Sequence, residues 1–311
     1  MKISPILSLV FALFLSALSS AQPNYPADPA EARLVSTDIQ HFVEAFQTLT
    51  EESDTVQVLQ SLYFDRASPG LQEYISRFQL TAEDLAKAIQ GHPEDYRKIP
   101  DFLAGLEKWM PEYTAEMQKF KEVLPDAIFP PTYLLIADHK GIANASKFGQ
   151  LVSVEKRHAT DLEALKNTIV HELTHFQQAM TMGIAAYTGI YGKEDNMLDL
   201  ILREGSAEFV TYKLVRKNEE QFSKLRNYME NEATLWEKFQ LDLAQQDSDF
   251  WLNVSYEDNN KGVPIQMGYG LGYKIVEAYY QQAQDKGQAL NDILNIQDAG
   301  AFLLKSQYEP K

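Results

Sequence analysis

The 311-residue chain contains no cysteine. That absence removes disulfides, lipid attachment through a cysteine and thiolate metal ligands together. Basic residues are in deficit, 28 against 44 acidic ones, for a net charge of −16. Such an acidic chain is repelled by nucleic acid and by anionic membrane surfaces, and neither is expected as a partner. No internal repeat, phosphate-cradling glycine loop or Ser/His/Asp arrangement with a local signature occurs.

Where apolar runs do occur, they are short. Lys2 precedes one from Ile6 to Leu18, too short to span a bilayer comfortably, and Ser19-Ser-Ala21 offers small residues at a cleavage point before Gln22. Residues 1–21 are therefore expected to be a signal peptide, and the protein is expected to be exported, periplasmic or secreted, with no stable membrane insertion after cleavage. Removing the leader's single lysine leaves a net charge of −17. The ~290 residues that remain are enough to bury a sizeable core.

Residues 22–30, spaced by Pro23, Pro26 and Pro29, read as an extended linker. From 31 to 125 the pattern is helical throughout, with Thr81-Ala-Glu-Asp84 as a capping-box-like start. Tyr63, Phe64, Phe102, Leu106, Trp109, Tyr113 and Phe120 are its expected core. The character changes over 126–311. Thr132–Ala137 and Gln150–Val154 read as strands joined by a Gly/Asn-rich loop, and helices are expected over about 219–246 and 269–284. Asp258-Asn-Asn-Lys-Gly262 lacks the spacing of a calcium loop and reads as a turn. His41, His92 and His139 are scattered and read as solvated or structural. The expected class is α+β, predominantly α-helical.

The chemistry concentrates in His171-Glu-Leu-Thr-His175. Histidines four apart on a helix point the same way and can share one metal ion, while Glu172 is placed to take a proton from a water on that ion. Thr160 or Asp161 caps the helix and Gly183 stops it after about Met182. Leu162, Leu165, Ile169, Leu173, Phe176 and Met180 form one apolar stripe, and the two histidines fall on the opposite side with Ala164, Thr168 and Gln178. The longer motif with a third histidine is absent, since Gln178 and Thr181 stand at its remaining positions. The third ligand is then a carboxylate. In a second helix, about 196–217, Glu204 and Glu208 share a face with Met197, Ile201 and Val215. Acids on an inward stripe need a partner or a metal. Glu204 is assigned as third ligand and Glu208 as the acceptor that orients a ligand imidazole. Gly205 permits close approach of a neighbouring helix. Asp199, Glu194 or His158 would compete for the third position.

These residues resemble the gluzincin metallopeptidases, in which H-E-x-x-H is followed on a later helix by a glutamate ligand and a second acid, matching Glu204 and Glu208. Most specifically, the chain looks like a bacterial family of exported, predicted zinc-dependent proteases of unknown substrate, over roughly Phe129–Tyr280. The resemblance implies a zincin-like unit over 126–311, one zinc ion per chain, a peptide or protein substrate, and an edge strand that pairs with an extended peptide. The G-x-M-E-N segment of the aminopeptidase branch is absent, which disfavours exopeptidase action anchored on an amine. Tyr269 or Tyr273, one helical turn apart in Gly268-Tyr-Gly-Leu-Gly-Tyr273, is a candidate donor to the oxyanion.

The expected function is an exported zinc peptidase with Glu172 as general base. Two rivals stand beside it. One is a non-catalytic envelope chaperone or secretion accessory that retains the fold, and the other is a zinc hydrolase of non-peptide amides or esters.

Overall fold

Helix dominates, and four short strands form one mixed sheet, so the class is α+β. The computed structural model describes residues 25–311 apart from 142, 194, 246–248 and 253–265. The leader expected over 1–21 and the turn read at Asp258–Gly262 lie outside the described residues. Among those described, no helix is long and apolar enough to cross a membrane.

The sheet runs β1 (Leu34–Val35), β2 (Thr132–Leu135), β4 (Gly149–Ser153), β3 (Ala143–Ser146). β1–β2 and β2–β4 are parallel, and β3–β4 is an antiparallel hairpin. The two strands read from the sequence, β2 and β4, are fully buried and central. Neither is an edge. The edge beside the histidine helix is β3, in the segment expected to be a loop. Gly149 makes this hairpin possible: its φ is 136°, and a Cβ there would lie 2.1 Å from the Pro131 carbonyl oxygen. β1 is likewise a strand in a stretch read as helical throughout.

The N-terminal helices are α1 (Thr37–Thr48), α2 (Thr55–Leu62), α3 (Pro69–Phe78), α4 (Ala82–Gly91), α5 (Pro93–Tyr96) and α6 (Ile99–Val123). Thr81 caps α4 by accepting from the Asp84 N–H at 3.1 Å. Tyr63, Phe102, Leu106, Trp109, Tyr113 and Phe120 are buried, and Phe64 packs against them from the rim. This core is continuous with β2, β4 and the histidine helix, so it crosses residue 125. Buried tyrosines close the end of β2: Tyr63 donates to the Ile136 carbonyl at 2.6 Å and Tyr96 to the Ala137 carbonyl at 2.7 Å. Pro26 is pinned, because the Phe129 N–H donates to its carbonyl at 2.8 Å.

The histidine helix, α7 (Leu162–Met182), starts where Asp161 accepts from the Ala164 N–H at 2.9 Å and ends at Gly183, with φ 86°. Its apolar side enters the first core through Leu165, Ile169 and Leu173. His158 fastens it to the sheet, with Nδ1 at 2.9 Å from the Ser153 carbonyl and Nε2 at 3.0 Å from Thr168 Oγ1.

After α8 (Ile184–Gly189) comes α9 (Met197–Glu208), which widens into a π-helical stretch over Phe209–Val215. The helix expected over 219–246 is broken into α10 (Ser223–Met229) and α11 (Glu232–Gln245), followed by α12 (Asp249–Leu252). The last helices are α13 (Met267–Gln282), α14 (Lys286–Leu294) and α15 (Ala299–Ser306). α9 and α13 carry much of a second core, which includes Ile201, Leu202, Phe209, Leu271 and Tyr273. They approach backbone to backbone: a Cβ on Gly205 would lie 2.1 Å from the Gly272 carbonyl carbon. The glycine-rich run 268–272 is thus a helix-packing stripe.

Candidate metal centre

On α7, His171 and His175 are one turn apart and both turn toward α9. His171 Nε2 lies 2.9 Å from His175 Nε2, and Glu204 Oε2 lies 3.3 Å from each. Ligands on a tetrahedral zinc with bonds of about 2.0–2.1 Å stand about 3.3 Å apart. The donor set, two imidazoles and one carboxylate, also suits zinc. The residues present therefore fit the ion.

Each imidazole is held from behind. Glu208 Oε2 is 3.4 Å from His171 Nδ1, one turn along α9 from Glu204. His175 Nδ1 is 2.8 Å from Gln178 Oε1, and the Gln178 amide in turn donates to the Arg203 carbonyl at 3.1 Å. An acceptor behind each imidazole fixes its orientation and tautomer. Burial pulls the His171 pKa down, but Glu208 and Glu204 outweigh it and hold the imidazole well above its ordinary value. Burial pushes Glu204 up, yet the two histidines prevail and hold it well below the usual carboxylate range. Opposite charges in a poorly solvated site account for both directions.

Glu172 shares the cleft. Burial raises its pKa, opposed by His171, His175 and a hydrogen bond from the Ala145 backbone N–H. The cleft has a volume of about 580 Å³ and is lined by His171, Glu172, His175 and Glu204, with β3 along one side and Tyr187, Tyr191 and Tyr269 on the others. Tyr25 closes one end, its ring edge-on to Phe176 at 5.3 Å. On α8 and just beyond it, Tyr187 and Tyr191 both face the guanidinium of Arg203, at 3.8 and 4.8 Å. That contact ties the α8 segment to the helix carrying Glu204.

The structure separates the two candidate tyrosines. Tyr269 lines the cleft beside Glu204; burial first, then Glu204, Glu208 and Glu172, raise its pKa well above the ordinary value. Tyr273 is fully buried in the second core, packed on Phe209 and Phe222, and donates to Glu219. It does not reach the cleft. Of the rivals to Glu204, His158 is engaged with the sheet and Asp199 pairs with Lys193 at 3.1 Å, while Glu194 lies outside the described residues.

Sequence reasoning missed three contributors. Lys224 on α10 sits 3.5 Å over the Tyr269 ring, and burial lowers its pKa against the pull of Glu208 and Glu204. Arg77 on α3 donates to the Ala145 carbonyl at 3.2 Å and to the Asn144 side chain, and pairs with Glu73 at 3.0 Å. No local motif marks either residue. Gln178 did carry a signal, because it shares the histidine face of α7.

Residues 112–297 match the family model described as predicted Zn-dependent protease. That span includes α7, α9 and α13, and excludes α1–α5. No curated protein and no solved structure matches the chain.

Proposed function

We propose that this chain, which belongs to the family of predicted Zn-dependent proteases, is an exported peptidase that hydrolyses peptide bonds. The observation that carries the reading is the convergence of His171 Nε2, His175 Nε2 and Glu204 Oε2 within 3.3 Å, beside Glu172 in one cleft. His171, His175 and Glu204 would hold zinc. When bound there, zinc supplies a Lewis acid that polarises a carbonyl and acidifies water.

The remaining work belongs to the side chains. Glu172 accepts a proton from the attacking water and delivers it to the leaving amine, and a carboxylate whose pKa is raised by burial is suited to both halves of that transfer. Tyr269 presents a neutral phenol to the cleft and donates to the oxygen on which negative charge develops. Lys224, against the Tyr269 ring, holds the phenol's position and favours charge on the groups it faces. Glu208 and Gln178 keep the two imidazoles aimed. β3 supplies an edge along which an extended peptide can lie.

One observation favours the non-catalytic rival. The Ala145 carbonyl on that edge already accepts from Arg77 at 3.2 Å, so a peptide must displace that partner to pair there. A mixed peptide library incubated with purified protein, alongside metal analysis, decides between them. Wild type should bind zinc and cleave. Glu172→Gln should keep the zinc and lose about 10²–10⁴-fold of the rate. Glu204→Ala should lose most of the cleft metal. Zinc retained with no cleavage of any peptide by wild type would establish the binding-protein reading, and undiminished cleavage by Glu172→Gln would remove that residue from the chemistry.

A further inference from the structure

Far from the cleft residues in sequence, a second set of donor atoms comes together. His92, between α4 and α5, Asp95 in α5 and His139, after β2, offer ligand atoms that all lie within 4.8 Å of one another. His139 Nε2 is 2.8 Å from Asp95 Oδ2. The His92 and His139 rings stack, with centroids 3.6 Å apart and planes 6° apart. Sequence reading left both histidines as scattered, and the structure corrects that.

The backbone beneath the cluster is built to hold it. Tyr96, the neighbour of Asp95, donates to the Ala137 carbonyl at 2.7 Å. The fully buried Glu155 carboxyl group accepts from the Ala137 N–H at 3.2 Å. Two residues beyond that doubly anchored Ala137, His139 has φ 64°, a left-handed conformation that a side chain other than glycine adopts at a cost. The chain next to Asp95 and the chain leading into His139 are thus tied to each other and to Glu155.

We infer that His92, Asp95 and His139 form a second metal site, for a borderline divalent ion such as Zn²⁺ or Ni²⁺. Two imidazoles and one carboxylate are a donor set such ions take, with water completing the shell on the exposed side. Lys98 bonds Asp95 Oδ1 at 2.9 Å and leaves Oδ2, the oxygen facing His139, for the ion. Face-to-face rings cannot both aim an in-plane lone pair at one ion. Binding therefore swings the exposed His92 ring off the stack. The ion would clip the α4–α5 corner to the end of β2. His92 and Asp95 fall outside the matched span 112–297, so this site belongs to this chain and not to what the family model covers.

The test counts metal in full-length protein stripped with chelator and dialysed against zinc. Wild type should hold about two ions per chain, Glu204→Ala about one, and Glu204→Ala combined with His92→Ala close to none. In the Glu204→Ala background, added zinc should raise the melting temperature, and His92→Ala, Asp95→Asn and His139→Ala should each abolish that rise. His92 is exposed, so His92→Ala reports binding even if His139→Ala perturbs the loop, and its metal-free melt should equal the parent's. Equal zinc content in Glu204→Ala with and without His92→Ala would overturn the site. The cleft reading is tested separately, by the zinc that Glu204→Ala removes from wild type.

Discussion

Glu155 is the residue whose environment makes the clearest pH statement. Burial raises its pKa from 4.5 to about 7, against the hydrogen bonds from its own N–H, Ala137 and His139. One carboxylate oxygen has no hydrogen-bond partner among the described residues, which fits a group carried protonated. Between these two values the folded chain holds a proton that the unfolded chain releases. Stability is therefore full below the ordinary carboxylate range and declines as pH rises through about 7. Urea unfolding from about pH 5 to about pH 8 should show a loss on the order of 3 kcal/mol. Glu155→Gln should remove most of that slope, and an unchanged slope in the variant would assign it elsewhere. At this same scale, the sequence disclosed the groups that share a helix turn and hid those that do not. His171, Glu172, His175, Glu204 and Glu208 are fixed in relation to one another by helical spacing. Tyr269 and Tyr273 are too, but spacing alone does not say which of two residues one turn apart faces the cleft. That depends on how the glycine stripe of α13 seats on α9.

At the scale of elements, that seating can be tested. Gly205 has no room for a methyl group, because its Cβ would fall 2.1 Å from the Gly272 backbone. Gly205→Ala should push α9 off α13, destabilise the fold by roughly 1–3 kcal/mol and weaken zinc binding by moving Glu204. Gly105 in α6 has nothing within 4 Å of the same position, so Gly105→Ala should be neutral or stabilising by about 0.5–1 kcal/mol. Equal effects in chemical unfolding would mean that close packing of α9 is not what sets the ligand's place. The bounds of α7 were legible, since its cap and glycine stop agree, but its apolar stripe holds only through Leu165, Ile169 and Leu173: Leu162 is exposed, and Phe176 and Met180 line the cleft. β3 was not legible: Ala-Asn-Ala-Ser carries no strand signature, and it becomes a strand only because Gly149 turns the chain back onto β4. Arg77 follows from the same edge. If its guanidinium merely plugs the Ala145 carbonyl, Arg77→Ala should lower KM for a cleaved peptide by roughly 2- to 10-fold, the worth of one hydrogen bond. A rise in KM would show instead that Arg77 touches the substrate.

For the molecule as a whole, the position of the metal centre between two cores matters most. α7 belongs to the first core through Leu165, Ile169 and Leu173, and α9 to the second through Met197, Ile201 and Leu202. The two histidines and Glu204 thus meet at the seam where the two cores adjoin, beside Val210 and Val215, which carry the Glu204 helix on into the first core, and Leu214 and Tyr280, which pack against both. No reading of the sequence shows this, because apolar periodicity tells that a face is buried and not which core receives it. Without an ion, the seam holds partly buried acids and imidazoles that attract one another at some desolvation cost. With zinc, it gains a link that only the folded state offers. Binding to the native state alone stabilises by about 2.7 kcal/mol when free zinc is 100-fold above Kd. Loss of that ion on chelation should therefore lower the melting temperature by roughly 4–5 °C for a chain of about 290 folded residues. The loss should appear in hydrogen exchange at 171–178 and 201–208 together, because both helices lose the same link. Glu204→Ala, already without it, should show little further change on chelation beyond that due to the His92 cluster. Exchange that increases on α7 alone would mean the ion sits on one core and does not bridge the two.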